Sequence, residues 1–318
     1  MPHTTGLLFA NYSKNLGRLI TGRNCSLLAD GRQRRHFGVE IECCDYTRRN
    51  ESYVDYDTAY EAINSLFEPI GADEDSHNLY DVHDDGSLLG NAFEFVTSPM
   101  TMDLLRKLNW EDFFDVIAHN DYVYNDFNSY DKAGIHVHVN RRSLKYPFEA
   151  AVNALLFITQ NRNTIRRFAR RNTYTWDDWC ATPYWAHESN RLNRAIEFAK
   201  AGDYSKFGSG FGTEFSTDET RYRCVNFQSS QTWELRIFNS TLRAQDMYNI
   251  LDFTDALWDM CDKPNFEGIN IVVMNKKLTA LGNTEAADYM FYPPEDINPY
   301  EDYSNRWAEN EEDEDDEW

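Results

Sequence analysis

The chain has 318 residues, 42% hydrophobic and 26% charged, and a formal net charge of −22, a globular but strongly acidic composition. No run of about eighteen apolar residues occurs, which excludes a membrane-spanning helix, and the acidity argues against general nucleic-acid binding, which depends on neutralising phosphates. The six cysteines (25, 43, 44, 180, 224 and 261) fit neither a zinc-ribbon spacing nor a dense disulfide framework. With no secretory leader at Met1–Leu8, they read as reduced thiols of a cytoplasmic protein.

In chain order, residues 1–35 carry Lys14, Arg18, Arg23, Arg32, Arg34 and Arg35 against Asp30, a basic and partly helical extension. Alternating apolar residues then predict strands at 36–44, 79–84, 92–97, 133–139, 222–228 and 232–238. Helical spacing predicts helices over 57–67, where Ala59, Ile63, Leu66 and Phe67 share one side, over 101–119, and over 243–261. Pro147 fits the first turn of a long helix running through Ala150, Leu155, Ile158 and Ile165. Residues 173–221, rich in Trp, Tyr, Asn, Gly and Asp, read as an insertion or lid with a helical piece near Arg191–Lys200. The spaced glycines Gly208, Gly210 and Gly212 make 208–215 the candidate closing loop. Residues 36–262 thus form the main domain, 263–292 a C-terminal elaboration, and 293–318 an acidic tail. From Glu295 to Glu317 there are twelve acidic residues and one arginine, a composition that predicts disorder. Tail and N-terminal extension are opposite in charge, which suits contact between them or with a separate basic partner. Strands and helices in irregular order imply an α+β fold.

Several of these strands share a chemical pattern. Residues i and i+2 of a strand face the same way. In FGVEIEC (37–43), Glu40 and Glu42 oppose Val39, Ile41 and Cys43. In GIHVHV (134–139), His136 and His138 oppose Ile135, Val137 and Val139. In WELRI (233–237), Glu234 and Arg236 oppose Trp233, Leu235 and Ile237, and Glu94 stands between Phe93 and Phe95. A solvated strand face explains any one of these. Together they place Glu, His and Arg where Thr and Lys are commoner. On a common sheet such carboxylates would repel without cations between them, and carboxylate with imidazole suits Mg²⁺ or Mn²⁺. Arg162, Arg166, Arg167, Arg170 and Arg171 follow the apolar part of the Pro147 helix. A solvated helix face is one reading of them and an anion clamp the other.

The ordered set FGVEIEC (37–43), DDGSL (84–88), FEFVTSP (93–99), GIHVHVN (134–140), RYRCVNF (221–227) and TWELRIFNSTL (232–242) resembles the amidoligase family of bacteria and bacteriophages. That family is similar in fold to glutamine synthetase and glutamate–cysteine ligase. The resemblance implies a curved, mainly antiparallel sheet with helices on one face and an ionisable active-site face. It also implies ATP and Mg²⁺, with Mn²⁺ as the alternative, and a carboxylate and an amine as substrates, whether amino acid, peptide or protein side chain. By the same resemblance Glu40, Glu42, Glu94, His136 and Glu234 hold metal, and His138 contacts or supports the bound nucleotide. Arg236 meets the transferred phosphate. Arg223 and Asn226 lie near phosphate or substrate carboxylate, and Asp85, with Ser87, is close to substrate or metal. An HxH strand also opens many zinc hydrolases and cupin oxygenases, but those sites need further histidines, and only His187 follows His138. A ligase-like scaffold that binds nucleotide or a partner without turnover is the remaining alternative.

Overall fold

Period-two alternation here builds one sheet with two unlike faces. The computed structural model describes residues 35–45, 56–70, 79–84, 91–119, 122–123, 133–171, 223–226 and 231–292, together with 176, 180, 196–198, 200–201 and 229. The elements in order are β1 (Phe37–Asp45), α1 (Tyr56–Phe67), β2 (Tyr80–Asp84), β3 (Asn91–Thr97), α2 (Met102–Leu105), α3 (Trp110–His119), β4 (Tyr122–Val123) and β5 (Gly134–Asn140). They continue with α4 (Pro147–Gln160), α5 (Arg162–Phe168), β6 (Val225–Asn226), β7 (Thr232–Asn239), α6 (Ala244–Cys261), α7 (Ile271–Ala280) and α8 (Thr284–Phe291). The strands run in the order β2-β3-β1-β5-β7-β6, with β4 pairing to β1, and every pairing is antiparallel. This is an α+β fold. None of the described helices is long and apolar enough to cross a membrane.

The apolar face is the one the alternation assigns: Val39, Ile41, Phe93, Phe95, Ile135, Val137, Val139, Trp233 and Leu235 are all buried. Helices cover it because their own apolar stripes need the same partner. Phe95 meets Phe113 of α3 at 5.2 Å between centroids, and Tyr80 stacks on Phe67 of α1. Toward the other edge, Trp233 Nε1 donates to Pro147 O at the start of α4, and Phe238 meets Phe253 of α6 edge-on. On α4, Asn153 Nδ2 donates to Cys261 O and Asn265 O, fastening the chain as it leaves α6. Cys43, Cys180, Cys224 and Cys261 are buried thiols that form no disulfide.

Two helices expected to be continuous are broken, each at an asparagine. The 101–119 stretch divides into α2 and α3 because Asn109 Oδ1 accepts the Asp112 backbone N–H while Trp110 Nε1 turns back to Leu105 O. Side-chain capping of this kind competes with the helical ladder. The Pro147 helix ends at Asn161, whose Nδ2 donates to Phe157 O, and restarts as α5. Within the expected strand at 222–228, Val225–Asn226 forms β6, while residues 222, 227 and 228 lie outside the described residues. The Arg191–Lys200 piece, the 208–215 loop, the N-terminal extension through residue 34 and the acidic tail lie outside the described residues, apart from 196–198 and 200 of that piece.

α5 closes in a Schellman turn. Arg170 N–H bonds Arg167 O and Arg171 N–H bonds Arg166 O, with Arg170 at φ 55° where glycine is usual. A side chain there costs roughly 1–2 kcal/mol. The ion pair from Arg170 Nη2 to Asp246 Oδ1 at 3.0 Å offsets part of this, and Asn239 N–H to Ala169 O seats the turn on the end of β7. β7 itself carries a bulge. Ile135 pairs with Phe238 but Val137 with Leu235, so His136 alone opposes both Arg236 and Ile237. Strict alternation would put Phe238 beside Glu234 and Arg236. The bulge returns it to the core.

Phe253 joins α6 to both α5 and β7, lying 4.9 Å from Phe168 and 5.8 Å from Phe238. Phe253→Ala is expected to lose about 3–5 kcal/mol of stability in denaturant titration, the range for removing a fully buried phenylalanine.

Candidate active site

On the face turned away from the helices, the register sets Glu40 beside His136, Glu42 beside Glu94, and His138 beside Glu234 with Asn226 beyond it. These side chains are not solvated: Glu40 and Glu42 are 8% exposed, Glu234 6%, His138 4% and His136 3%. Burial on this scale removes the solvated-face reading, since an unpaired buried charge is costly.

The charges answer one another. His138 Nε2 stands 2.9 Å from Glu40 Oε1, and His136 Nδ1 lies 3.3 Å from Glu40 Oε2 and 3.6 Å from Glu234 Oε1. Arg236 Nη1 donates to Glu234 Oε1 at 2.5 Å, and Asn226 Nδ2 donates to Glu234 Oε2 at 2.7 Å. Glu42 Oε2 accepts the Gly134 backbone N–H at 2.6 Å. His138 Nδ1 lies 3.2 Å from Thr232 Oγ1, an outer partner that fixes which nitrogen turns toward Glu40.

These contacts give the two imidazoles opposite characters. Burial alone would raise the Glu40 carboxyl, yet His138 and His136 hold it well below the usual carboxylate range. Burial also raises Glu234, and Arg236 followed by His138 outweighs it. Burial and the Arg236 charge push His136 down, favouring neutral imidazole. For His138 burial acts in the same direction, but Glu40 and Glu234 prevail and raise it. The strand H-x-H therefore presents one neutral ring and one that takes a proton readily.

Among the described residues, two groups of donors fit a hard divalent ion: Glu40, His138 and Glu234, and Glu40, Glu94 and His136. Within each, one donor atom per residue lies within 4.8 Å of the others, and Glu40 belongs to both. Carboxylates with one imidazole match Mg²⁺ or Mn²⁺ chemistry. A metal at the first group would have to displace the proton from His138.

Of the residues singled out from sequence, the sheet brings together Glu40, Glu42, Glu94, His136, His138, Asn226, Glu234 and Arg236. Glu42 stands in neither donor group, with one oxygen engaged by Gly134. Arg223 is half-buried at a β-bridge two residues before β6, next to Cys224, whose O accepts the Arg236 backbone N–H. Asp85 and Ser87 lie outside the described residues. Sequence reading missed Thr232 and Gly134. Thr232 carried a usable signal, because it shares the period-two face of Glu234.

Residues 124–258 match the sequence model of a family described as "Putative amidoligase enzyme". That span carries β5, β6 and β7 with their His, Asn, Glu and Arg side chains, while Glu40, Glu42 and Glu94 precede it. No curated protein matches the chain. Because Glu40 is common to both donor groups, Glu40→Gln is expected to abolish Mn²⁺ binding in calorimetric titration. Glu42→Gln, at a carboxylate that stands in neither group, should cost about tenfold in affinity, as outer partners of a metal site do.

Proposed function

We propose, from the match of residues 124–258 to the amidoligase family, that the chain is an ATP-dependent carboxylate–amine ligase working through an acyl phosphate. The observation that carries this reading is the single face on which Glu40, Glu94, His136, His138 and Glu234 make up two donor groups, with Arg236 bonded to Glu234 at their edge. In this reading the antiparallel sheet, covered by helices on its apolar side, is glutamine synthetase-like.

The chemistry explains why such a face is useful. A carboxylate does not react with an amine at neutral pH, because the leaving group would be an oxide. Transfer of the ATP γ-phosphoryl group to the carboxylate gives an acyl phosphate and ADP. Amine attack on the acyl carbon then forms the amide and releases inorganic phosphate, and the amine's proton passes to a base. Positioning and charge neutralisation dominate phosphoryl transfer. Glu40, Glu94, His136, His138 and Glu234 would hold Mg²⁺, which supplies neutralisation of phosphate charge when bound. Arg236 is placed by Glu234 and directs its guanidinium toward charge gathering on the transferring group. Asn226 fixes the second oxygen of Glu234, so that carboxylate and arginine keep one geometry. The neutral imidazole of His136 leaves the face with one cation fewer beside Arg236.

The test measures products with candidate carboxylate and amine pairs. ADP and phosphate formed with loss of water between the substrates support the proposal, whereas AMP and pyrophosphate reject the acyl-phosphate route. Tight Mg–ATP binding without turnover would identify the non-catalytic scaffold. Arg236→Ala is expected to lose roughly 3 kcal/mol of transition-state stabilisation, the size seen for removing one such donor, while changing ATP affinity less. Arg236→Lys should recover little, because an ammonium lacks the two-pronged planar geometry.

A further inference from the structure

Arg171 was grouped by sequence with the basic residues at the end of α5, yet it does not share their surroundings. It is 3% exposed. From the Schellman turn its side chain runs to the sheet, where Nη2 donates to Phe238 O at 2.9 Å. Phe238 is the residue at which pairing with β5 resumes after the bulge, so this bond lands on the closing side of the irregularity that carries Arg236.

A second observation comes from β5. A Cβ built on Gly134 would lie 2.5 Å from Arg171 Nη2, 3.1 Å from His136 Nε2 and 3.3 Å from Phe238 O. Residue 134 has the same parity as His136, so this position belongs to the ionisable face. The guanidinium fills the volume that a side chain at 134 would take, and glycine is what leaves room for it. The same Gly134 presents its N–H to Glu42. One arginine thus bonds β7 where the bulge closes and fills the space over Gly134, two residues before His136 on β5.

We propose that Arg171 is a positioning residue of this face: it locks the β7 bulge so that Arg236 is held on Glu234. Bulges next to active sites re-aim side chains, and a bulge held by a buried guanidinium keeps one aim. The proposal concerns the aim of Arg236; only its ligand-binding readout rests on the reading of the face as a Mg–ATP site.

The experiment uses the full chain with Arg171→Lys and Arg171→Met. The first readout needs no ligand. The Arg236 Nε–H resonance, assigned as the signal missing in Arg236→Lys, is followed by solvent exchange. In both Arg171 variants exchange should quicken by about tenfold, as expected for residues in one contact network, with melting temperature within a few degrees of the parent. Unchanged exchange overturns the proposal. The second readout is Mg–ATP affinity by calorimetry. Arg171→Lys should weaken it in the parent by no more than Arg236→Ala does, and by less than about twofold further in an Arg236→Ala background, the non-additivity that marks action through Arg236. Equal losses in both backgrounds overturn the positioning role. A parent protein that binds no Mg–ATP sinks the ligase reading and leaves the exchange measurement to decide. Should the Arg171 variants fail to fold, Gly134→Ala displaces the guanidinium from the opposite side of the same contact and is read by the same resonance.

Discussion

The constraint on which the rest of the structure depends is electrostatic: several carboxylates are buried on one face of one sheet. Two like charges about 4 Å apart repel by roughly 4 kcal/mol at an effective dielectric near 20, so such a face is tolerable only with cations interleaved. The chain supplies some of them itself. His138 on Glu40 and Arg236 on Glu234 are close ion pairs, and both glutamates stay ionised despite burial. What these pairs leave uncovered is the capacity for divalent ions.

The fold serves that constraint by register. Antiparallel pairing of β1 with β3 and β5, and of β5 with β7, places acidic residues and histidines from separate segments side by side. A slip of one residue on any strand would send its ionisable side chains into the helical layer and its apolar ones to the opposite face. The core therefore enforces the site. The burial of Val39, Ile41, Val137 and Leu235 under the helices keeps Glu40, His136, His138 and Glu234 in line.

The sheet and its chemical face were legible because both are written in the shortest of periods. Four strands with apolar residues at one parity and Glu, His or Arg at the other need no tertiary knowledge beyond alternation. The breaks at Asn109 and Asn161 were not legible, because apolar spacing continues across them and only the side-chain hydrogen bonds end the helices. Arg171 was read with its neighbours because it follows them in sequence. The left-handed backbone at Arg170 changes the direction of the next residue, and nothing in composition announces it. Gly134 and Thr232 act through a volume and a hydrogen bond contributed by distant segments, which a strand pattern cannot express.

The bulge in β7 has a bearing on how this chain is compared with others. Omitting Ile237 would leave a strand whose residues still alternate correctly, with Leu235 and Phe238 toward the core and Arg236 between them. The extra residue leaves only two adjacent apolar residues, Ile237 and Phe238, in the pattern, and would appear between relatives as a one-residue gap inside a strand, where gaps are ordinarily refused. A gapless alignment to a chain with a regular strand would match Phe238 to a polar position and misassign every equivalence beyond it through Asn239. Placing the gap at the bulge preserves the correspondence of Glu234 and Arg236 on one side and of the core residues on the other.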